Sequence, residues 1–244
     1  MSTADPHELD PEGQMTLEVI SKADRFNRWM FGTIEPFCSG KLLEVGSGIG
    51  NISKYFLEAG YPIALSDIRK NYCSYLRKEF SHYNHLIDVF QLDLADPDFE
   101  KKFSFVKEEF DTLFSLNVVE HIQDDRLAVY NAKYLLKKGG KLIILVPAFN
   151  SLYNHFDHSL GHYRRYTLTG LKAIFIQNNL KVLHSQYFNL AGIPGWYVSG
   201  KLLKNRTIPG GQMKLYDQLV PFFSLLDKLT FNVAGLSAIV VGTK

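Results

Sequence analysis

The sequence predicts an α/β fold in which helices cover both faces of a largely parallel sheet. The main observation is that short, β-rich apolar runs alternate with helical segments from Lys41 onward. Hydrophobic residues make up 46% of the 244-residue chain, so it can bury a substantial core. This length suits one domain with an added cap better than two independent domains.

Residues 1–40 are predicted to form an N-terminal extension and a cap helix. The first stretch is acidic and polar, so we expect a frayed start and no signal peptide. From Gln14 to Phe37 apolar residues recur at helical spacing, and Pro36 and Gly40 end this helical region. Residues 41–244 then form the main domain.

Five strands and three helices are predicted between Lys41 and Pro147. The strands are Leu42–Val45, Ile63–Ser66, Leu86–Leu92, Thr112–Leu116 and Leu142–Val146. The helices are Ile52–Glu58, Asn71–Phe80 and Asp124–Leu136. Apolar strands separated by helices favour a parallel sheet with right-handed crossovers.

The regular alternation ends beyond Pro147. A polar and aromatic loop runs from Phe149 to Thr167, followed by a helix at Leu168–Gln177 and a sixth strand at Lys181–Phe188. Residues 189–232 form an apolar insertion punctuated by glycine and proline, and Leu236–Val241 supplies the last strand. We interpret the insertion as a hydrophobic cap on the sheet, with a lid over the ligand crevice or a lipid pocket as alternatives.

The composition argues against several function classes. The 27 Lys and Arg residues against 25 Asp and Glu residues give no strongly basic face, so no nucleic-acid partner is expected. The two cysteines, Cys38 and Cys73, form no metal or redox motif, and a reducing cytoplasm is the expected compartment. No integral membrane segment is expected, because no apolar run approaches about 18 residues. Peripheral membrane association and a monomeric or homodimeric state stay open.

A glycine-rich turn after the first strand is the densest signal in the chain. Gly46, Ser47, Gly48 and Gly50 lie between that strand and a helix, where glycine allows a tight turn and close approach of a ligand. A dinucleotide fingerprint would place its last glycine three residues after the second, whereas Gly50 follows Gly48 by two. The spacing disfavours a nicotinamide-dinucleotide site, and a purely structural turn is a further alternative.

Polar residues also follow each of the first four strands or lie within them. Glu44 lies inside the first strand, where a buried carboxylate needs a partner such as a ligand ammonium group. Asp67 closes the second strand, Asp93 follows the third, and Asn117 follows the fourth. Open α/β sheets bind ligands at this carboxyl edge, and an acid at the second position can accept the ribose hydroxyls.

These motifs resemble those of the class I S-adenosylmethionine-dependent methyltransferases. LLEVGSGIG is similar to their first motif, SDI to their acidic second-strand motif and QLDLAD to their adenine motif. FDTLFSLNVVEHI and LLKKGGKLIILVP are similar to their fourth-strand and fifth-strand motifs. The resemblance spans about Ala23 to Val182. It implies a Rossmann-like, seven-stranded, mostly parallel sheet whose last strand is antiparallel.

The resemblance also implies a set of cofactor-binding residues for S-adenosylmethionine and its product S-adenosylhomocysteine. Around the methionine moiety and the turn it implies Glu44, Gly46, Ser47, Gly48 and Gly50. It further implies Asp67 and Ile68 at the ribose, Asp93 and Leu94 at the adenine, and Asn117 and Val118 beneath the sulfonium. The segment Ala23–Trp29 resembles the helix that folds over the cofactor, so Trp29 is either a cofactor neighbour or a core aromatic.

The loop Asn154–Tyr166 is the second unusual cluster, and it should overhang the crevice where the methyl group is presented. His155 and His162 are candidate general bases, and Arg165 is a candidate anchor for an anionic acceptor. The alternative is a loop pinned by Arg165, Asp157 and backbone carbonyls. No metal is expected, since a metal site at His155, His158 and His162 lacks regular ligand spacing. Glu120 and His121 are set aside as an acid/base pair, because adjacent residues point in different directions, and His121 stays a secondary candidate.

The predicted function is therefore O- or N-methylation of a small or lipid- or glycan-linked acceptor by direct in-line transfer. A similar GHYRRY segment occurs in several bacterial methyltransferases, often encoded near glycosyltransferases of envelope pathways, which is a hint about the pathway and not evidence of the substrate. Two alternatives stay open. One is a module that binds S-adenosylmethionine without catalysis, and the other is an NAD(P)-dependent oxidoreductase.

Overall fold

A computed structural model describes residues 11–205 and 207–244, and seven strands form one sheet within them. The strands are β1 (Leu42–Val45), β2 (Ile63–Asp67), β3 (Leu86–Gln91), β4 (Phe110–Leu116), β5 (Leu136–Pro147), β6 (Lys181–Phe188) and β7 (Ser237–Thr243). Their order across the sheet is β3-β2-β1-β4-β5-β7-β6. Each predicted strand is present: β1 and β6 have the predicted bounds, and the ends of the others differ by up to six residues.

The sheet is parallel except at its last strand, as predicted. Leu42 of β1 is paired in parallel with Ile63 of β2 on one side and with Thr112 of β4 on the other. β7 is antiparallel to both β5 and β6. The carboxyl ends of β1 to β5 therefore meet at one edge, where open α/β folds bind ligands.

Ten α-helices accompany the sheet in the described part of the chain. They are α1 (Pro11–Ser21), α2 (Asp24–Ile34), α3 (Ser53–Glu58), α4 (Lys70–Phe80), α5 (Phe99–Lys102), α6 (Asp125–Leu135), α7 (His155–Ser159), α8 (Leu168–Gln177), α9 (Gly192–Trp196) and α10 (Gly210–Leu229). Short 3-10 turns cover Glu35–Phe37, Ser104–Val106, Val119–His121 and Asn150–Leu152, and a π-helical turn covers Tyr197–Leu202.

The core lies in two layers, one on each face of the sheet. Alternate residues of β5 enter opposite layers: Leu142 and Ile144 pack with α6 and α8, whereas Ile143 packs with α2, α3 and α4. This period-2 alternation inside a fully buried strand explains why the sequence showed only a continuous apolar run. Helices therefore cover both faces, as predicted.

The helical region predicted for Gln14–Phe37 is divided into two helices, because the chain turns between α1 and α2. Ala23, buried at the corner, has φ −98° and ψ 73°, which is not helical. The Asn27 side chain donates a hydrogen bond of 2.8 Å to the Ile20 carbonyl, satisfying an acceptor at the end of α1. Residues 1–10, for which a frayed start was predicted, lie outside the described residues.

The segment predicted as an irregular insertion contains a 20-residue helix, α10. It packs on the N-terminal cap: Arg25 Nη1 donates to the Gln218 carbonyl at 3.0 Å, and the Phe26 amide donates to Asp217 Oδ1 at 2.9 Å. Gly210, Gly211 and Pro221, which are among the glycines and prolines that punctuate this segment, lie within the helix. The predicted loop Phe149–Thr167 likewise contains a short helix, α7.

The lengths and polarity of the helices bear on membrane insertion. Across residues 11–205 and 207–244, none of the helices combines the length and apolar character needed to cross a bilayer.

Candidate active site

The glycine turn after β1 is held against β2 and leaves no room for side chains. The amides of Gly46 and Ser47 both donate to the Ser66 carbonyl, at 2.8 and 2.9 Å. Gly46 has φ +77°, and a Cβ atom built on it would overlap the Val118 side chain after β4. Gly48 (φ +55°) also has left-handed backbone. The predicted residues Gly46, Ser47, Gly48 and Val118 therefore lie together.

Asp67 joins the end of β2 to this turn. Its Oδ2 atom accepts a hydrogen bond from the Gly48 amide at 2.9 Å, and its Oδ1 atom accepts one from the Arg69 amide at 3.0 Å. Burial raises the pKa of the Asp67 carboxyl, although these amides oppose the effect. A carboxylate can accept about four hydrogen bonds, so lone pairs are left for a ligand hydroxyl. Ile68 follows, and its carbonyl accepts from Gln91 Nε2 at 2.7 Å.

Glu44 has partners within the protein that the sequence did not predict. Its carboxylate accepts a hydrogen bond from the Ser53 hydroxyl at the start of α3 and interacts with the Ser47 side chain. Burial nevertheless raises the pKa of Glu44 to about 8, because two hydroxyl groups offset only part of the lost hydration. The partly protonated carboxyl lies next to the glycine turn and needs no ammonium group to satisfy it.

The remaining predicted cofactor residues follow β3 and β4. Asp93 lies two residues beyond β3, half-buried, and its Oδ1 atom accepts from the Ala95 amide at 2.8 Å. Leu94 is buried in the core layer beneath it. Asn117 is exposed with φ +55°, and its amide donates to the Leu145 carbonyl at 2.8 Å. These residues come from separate strands and lie at the same edge of the sheet.

The cap lies directly over the glycine turn. Asn51 Nδ2 donates to the Leu17 carbonyl of α1 at 3.0 Å, and Leu17 Cδ1 would lie 2.9 Å from a Cβ atom on Gly48. A cavity of about 270 Å³ opens where α1, the turn and α4 meet. Trp29 of α2 is half-buried and packs on Phe188, with ring centroids 4.4 Å apart. Its contacts favour the packing interpretation.

These residues fit S-adenosylmethionine. An added Cβ on Gly46 or Gly48 would meet a neighbouring side chain, so glycine at these positions lets a ligand approach the backbone of the turn closely. The carboxylate of Asp67 follows at the position suited to ribose hydroxyls. The acidic and amide groups at the ends of β1 to β4 complete the set that would hold the cofactor.

The loop after β5 contains a buried network centred on Asp157. Its Oδ1 atom lies 2.8 Å from His162 Nδ1 and 2.8 Å from Arg165 Nε. Arg165 Nη1 donates to the Ala148 carbonyl at 3.0 Å, and the guanidinium carbon lies 4.7 Å from the Trp196 ring centroid. Contact with His162 and Arg165 holds the pKa of Asp157 below its usual range despite burial. Arg165 and Asp157 thus pin the loop through ionic and backbone contacts.

The same network touches the exit of β4. The Tyr163 amide donates to the Glu120 carbonyl at 2.8 Å, and the rings of His121 and His162 are 4.6 Å apart. Burial raises the pKa of Glu120 to about 7. Burial of the imidazole ring lowers the pKa of His121 to about 3, although part of that residue reaches solvent. Glu120 and His121, set aside in the sequence, both lie beside His162.

His155 and His158 lie apart from this network. Both are exposed on α7 and line an open cavity of about 330 Å³ together with Tyr153, Asn154 and Lys201. Within residues 11–205 and 207–244, the three possible metal ligands that converge are Glu120, His121 and His162. The set His155, His158 and His162 considered from the sequence is not brought together.

Comparison with known proteins agrees with this geometry. Residues 43–144 match the family model described as a methyltransferase domain. The lovastatin diketide synthase mokB of Monascus pilosus is 25% identical over 170 residues, which are 64% of this chain. The chain spans 7% of the length of that curated relative.

Two solved structures share the fold at low sequence identity. The CurJ carbon methyltransferase superposes with a TM-score of 0.60 and 16% identity, covering 98% of this chain and 61% of that chain. A Haemonchus contortus phosphoethanolamine N-methyltransferase 2, in complex with S-adenosyl-L-methionine, gives a TM-score of 0.56 and 15% identity. That match covers 84% of this chain and 49% of the other.

The domain match and the shared fold together define what this chain contains. Residues 43–144 match a methyltransferase domain, and the sheet around them has the class I methyltransferase fold.

Proposed function

We propose that the chain transfers a methyl group to an oxygen or nitrogen atom of a small or lipid-linked acceptor. The observation that carries this proposal is the 2.8 Å hydrogen bond from the Tyr163 amide to the Glu120 carbonyl. It fixes the loop of residues 154–166 at the exit of β4, close in sequence to Asn117 and Val118. The loop therefore stands at the sheet edge where the cofactor residues converge.

Positioning is the main chemical task of such a site. When bound, S-adenosylmethionine supplies a methyl group that is already activated on a sulfonium. Orientation of reacting groups can contribute about 7–11 kcal/mol, whereas a general base adds about 10²–10⁴-fold in rate. The rigid turn at Gly46–Gly48, fixed through Ser66 and Asp67, supports orientation of one partner. The pinned loop supports orientation of the other.

An acceptor hydroxyl loses its proton as it is methylated, and two histidines are candidates to accept it. His155 is exposed and lines the cavity of about 330 Å³, a size within the range of about 300–1,000 Å³ for small-molecule sites. His162 is buried, with Nδ1 held by Asp157. Access favours His155 as the proton acceptor for a substrate in the open cavity.

Arg165 is the proposed anchor for an anionic acceptor group. Its Nε and Nη1 atoms already donate to Asp157 and Ala148, which leaves Nη2 for a carboxylate or phosphate. A guanidinium already fixed by two hydrogen bonds would bind such a group with little loss of side-chain entropy. The same contacts make Arg165 part of the loop structure.

An exposed apolar face on α10 favours a lipid-linked acceptor. We call the exposed residues Leu215, Leu219, Phe222, Leu225 and Leu229 the apolar face of α10. At 100° per residue they lie within an arc of about 120° on one side of the helix. Exposed lysines Lys214 and Lys228 lie on the same helix. Apolar residues with adjacent lysines are typical of helices that lie on an anionic bilayer.

The first experiment is a calorimetric titration of the purified protein with S-adenosylhomocysteine, with NADH as the comparison ligand. Binding near micromolar, about −8 kcal/mol, is expected for S-adenosylhomocysteine and none for NADH. An Asp67→Ala variant should bind at least about tenfold more weakly, a loss of about 1.4 kcal/mol. Binding of NADH alone would contradict the proposal.

The acceptor class is tested by transfer of a labelled methyl group from S-adenosylmethionine. The panel contains small hydroxy and amino compounds, and isoprenoid-linked sugars presented in vesicles. Transfer to an oxygen or nitrogen atom supports the proposal, and a His155→Asn variant should then turn over more slowly. Tight cofactor binding with transfer to none of these compounds would favour the alternative of a module without catalysis.

A further inference from the structure

We propose that Glu120, His121 and His162 form a binding site for a divalent transition-metal ion such as Zn²⁺. One ligand atom from each residue lies within 4.8 Å of the other two. Two imidazoles and one carboxylate form a ligand set that suits Zn²⁺ and Fe²⁺. Mg²⁺ and Ca²⁺, in contrast, prefer ligand sets made only of oxygen atoms.

The carboxylate of Glu120 is the first argument for a bound cation. The residue is fully buried, and neither carboxylate oxygen has a hydrogen-bond partner in another residue. A buried carboxylate without partners is costly, and such groups are usually paired or coordinate a metal. The nearby Arg165 donates to Asp157 and Ala148, so it does not form a hydrogen bond with Glu120.

His162 is oriented by a partner outside the cluster. Its Nδ1 atom lies 2.8 Å from Asp157 Oδ1, which leaves Nε2 as the ligand atom. Histidines that bind metals almost always donate their second N–H to a carboxylate or a backbone carbonyl. His162 shows that arrangement, and the His121 ring lies next to it, with 4.6 Å between the ring centroids.

The backbone on both sides of the cluster is fixed. The His162 amide donates to the Asp157 carbonyl at 2.9 Å, and its carbonyl accepts from Tyr153 Oη at 2.7 Å. The Tyr163 amide holds the same segment to Glu120 at 2.8 Å. A tetrahedral ion with bonds of about 2.1 Å needs ligands about 3.4 Å apart. The three ligand atoms, which lie within 4.8 Å of one another, would therefore have to move closer together on binding.

A bound ion would be open to solvent on one side. Glu120 and His162 are buried, whereas His121 is exposed, so an ion could enter along His121. Three protein ligands leave a coordination position for water or an acceptor oxygen, as in catalytic rather than structural zinc sites. His162 would then be a metal ligand rather than a free base, and the proton-acceptor role would fall to His155.

The test is metal binding, measured without cofactor or acceptor. Protein freed of metal by a chelator is titrated with Co²⁺, followed by its visible d–d absorption, and with Zn²⁺, followed by calorimetry. One ion per chain is expected. Glu120→Gln and His121→Asn should each weaken binding at least about tenfold. His82→Asn, which alters an exposed histidine in the turn after α4, is the matched control and should leave binding unchanged.

The outcomes separate this proposal from the proposed function. Absence of binding, or equal binding by Glu120→Gln, His121→Asn and the control, overturns the metal site. Circular dichroism checks that each variant is folded, and the exposed position of His121 keeps the test valid if Glu120→Gln does not fold. A parallel S-adenosylhomocysteine titration reports on the methyltransferase site independently, because the proposed metal ligands include none of the predicted cofactor residues.

Discussion

The Nε atom of Arg165 lies 2.8 Å from Oδ1 of Asp157, and both side chains are buried. The same oxygen contacts His162 Nδ1, so one carboxylate fixes two residues of the loop. The loop in turn packs against Trp196 at the start of the insertion. This ion pair therefore connects the loop of residues 154–166 to the helices that follow β6.

Replacement of Arg165 by lysine is expected to destabilise the protein. A lysine cannot donate to Asp157 and Ala148 in the same planar geometry, so a buried charge loses part of its compensation. We expect the free energy of unfolding to fall by about 2–4 kcal/mol, as measured by chemical denaturation. Arg28→Lys, in an exposed pair with Asp24, should change it much less, because solvent screens the pair. Equal effects of the two substitutions would contradict this account.

Gly46→Ala is expected to disable the cofactor turn. The residue has φ +77°, which costs an L-residue about 1–2 kcal/mol, and the new methyl group would overlap Val118. We expect both the melting temperature and the affinity for S-adenosylhomocysteine to fall. Gly211→Ala near the start of α10, where nothing lies within 4 Å, should leave both unchanged or raise stability slightly. Unchanged affinity of Gly46→Ala for S-adenosylhomocysteine would show that the turn does not contribute to the cofactor site.

The central strands could be predicted closely because a strand buried on both faces reads as a continuous apolar run. Leu42–Val45, buried throughout, has the predicted bounds, and so does the partly exposed edge strand Lys181–Phe188. The residues of the glycine turn were recognisable because their spacing is local. Asp67 could be placed with them because parallel strands end at one edge.

Other features depend on tertiary contacts that no local pattern records. Glu120 and His162 are far apart in the chain and meet only because the Tyr163 amide pairs with the Glu120 carbonyl. The hydrogen bond from Ser53 to Glu44 likewise joins two elements, because Glu44 lies in β1 and Ser53 lies beyond the glycine turn at the start of α3. Helix α10 was missed because Pro221 lies within it, although its packing against α2 stabilises the helix around that residue.

Glu44 should make the stability of the cofactor-free protein depend on pH. Its pKa is raised to about 8 by burial, so the folded state retains a proton that the unfolded chain loses near pH 4.5. Between these values the unfolded state binds fewer protons, and stability falls as pH rises, by about 1 kcal/mol per pH unit. Glu44→Gln should flatten this slope in denaturation experiments between pH 5 and 8. Exposed Glu58→Gln should retain the slope, and loss of the slope in both variants would contradict the assignment.

The apolar face of α10 should mediate binding to anionic vesicles if the acceptor is lipid-linked. Phe222 is 64% exposed, and its transfer from water into a bilayer would gain about 1.5–3 kcal/mol. We therefore expect Phe222→Ser to weaken sedimentation with phosphatidylglycerol vesicles at least about tenfold, while affinity for S-adenosylhomocysteine is unchanged. Phe105→Ser is the matched control, because Phe105 is 66% exposed but lies in the turn after α5. Equal loss in both variants would indicate nonspecific adhesion. Absence of vesicle binding by the unmodified protein would instead favour a small water-soluble acceptor.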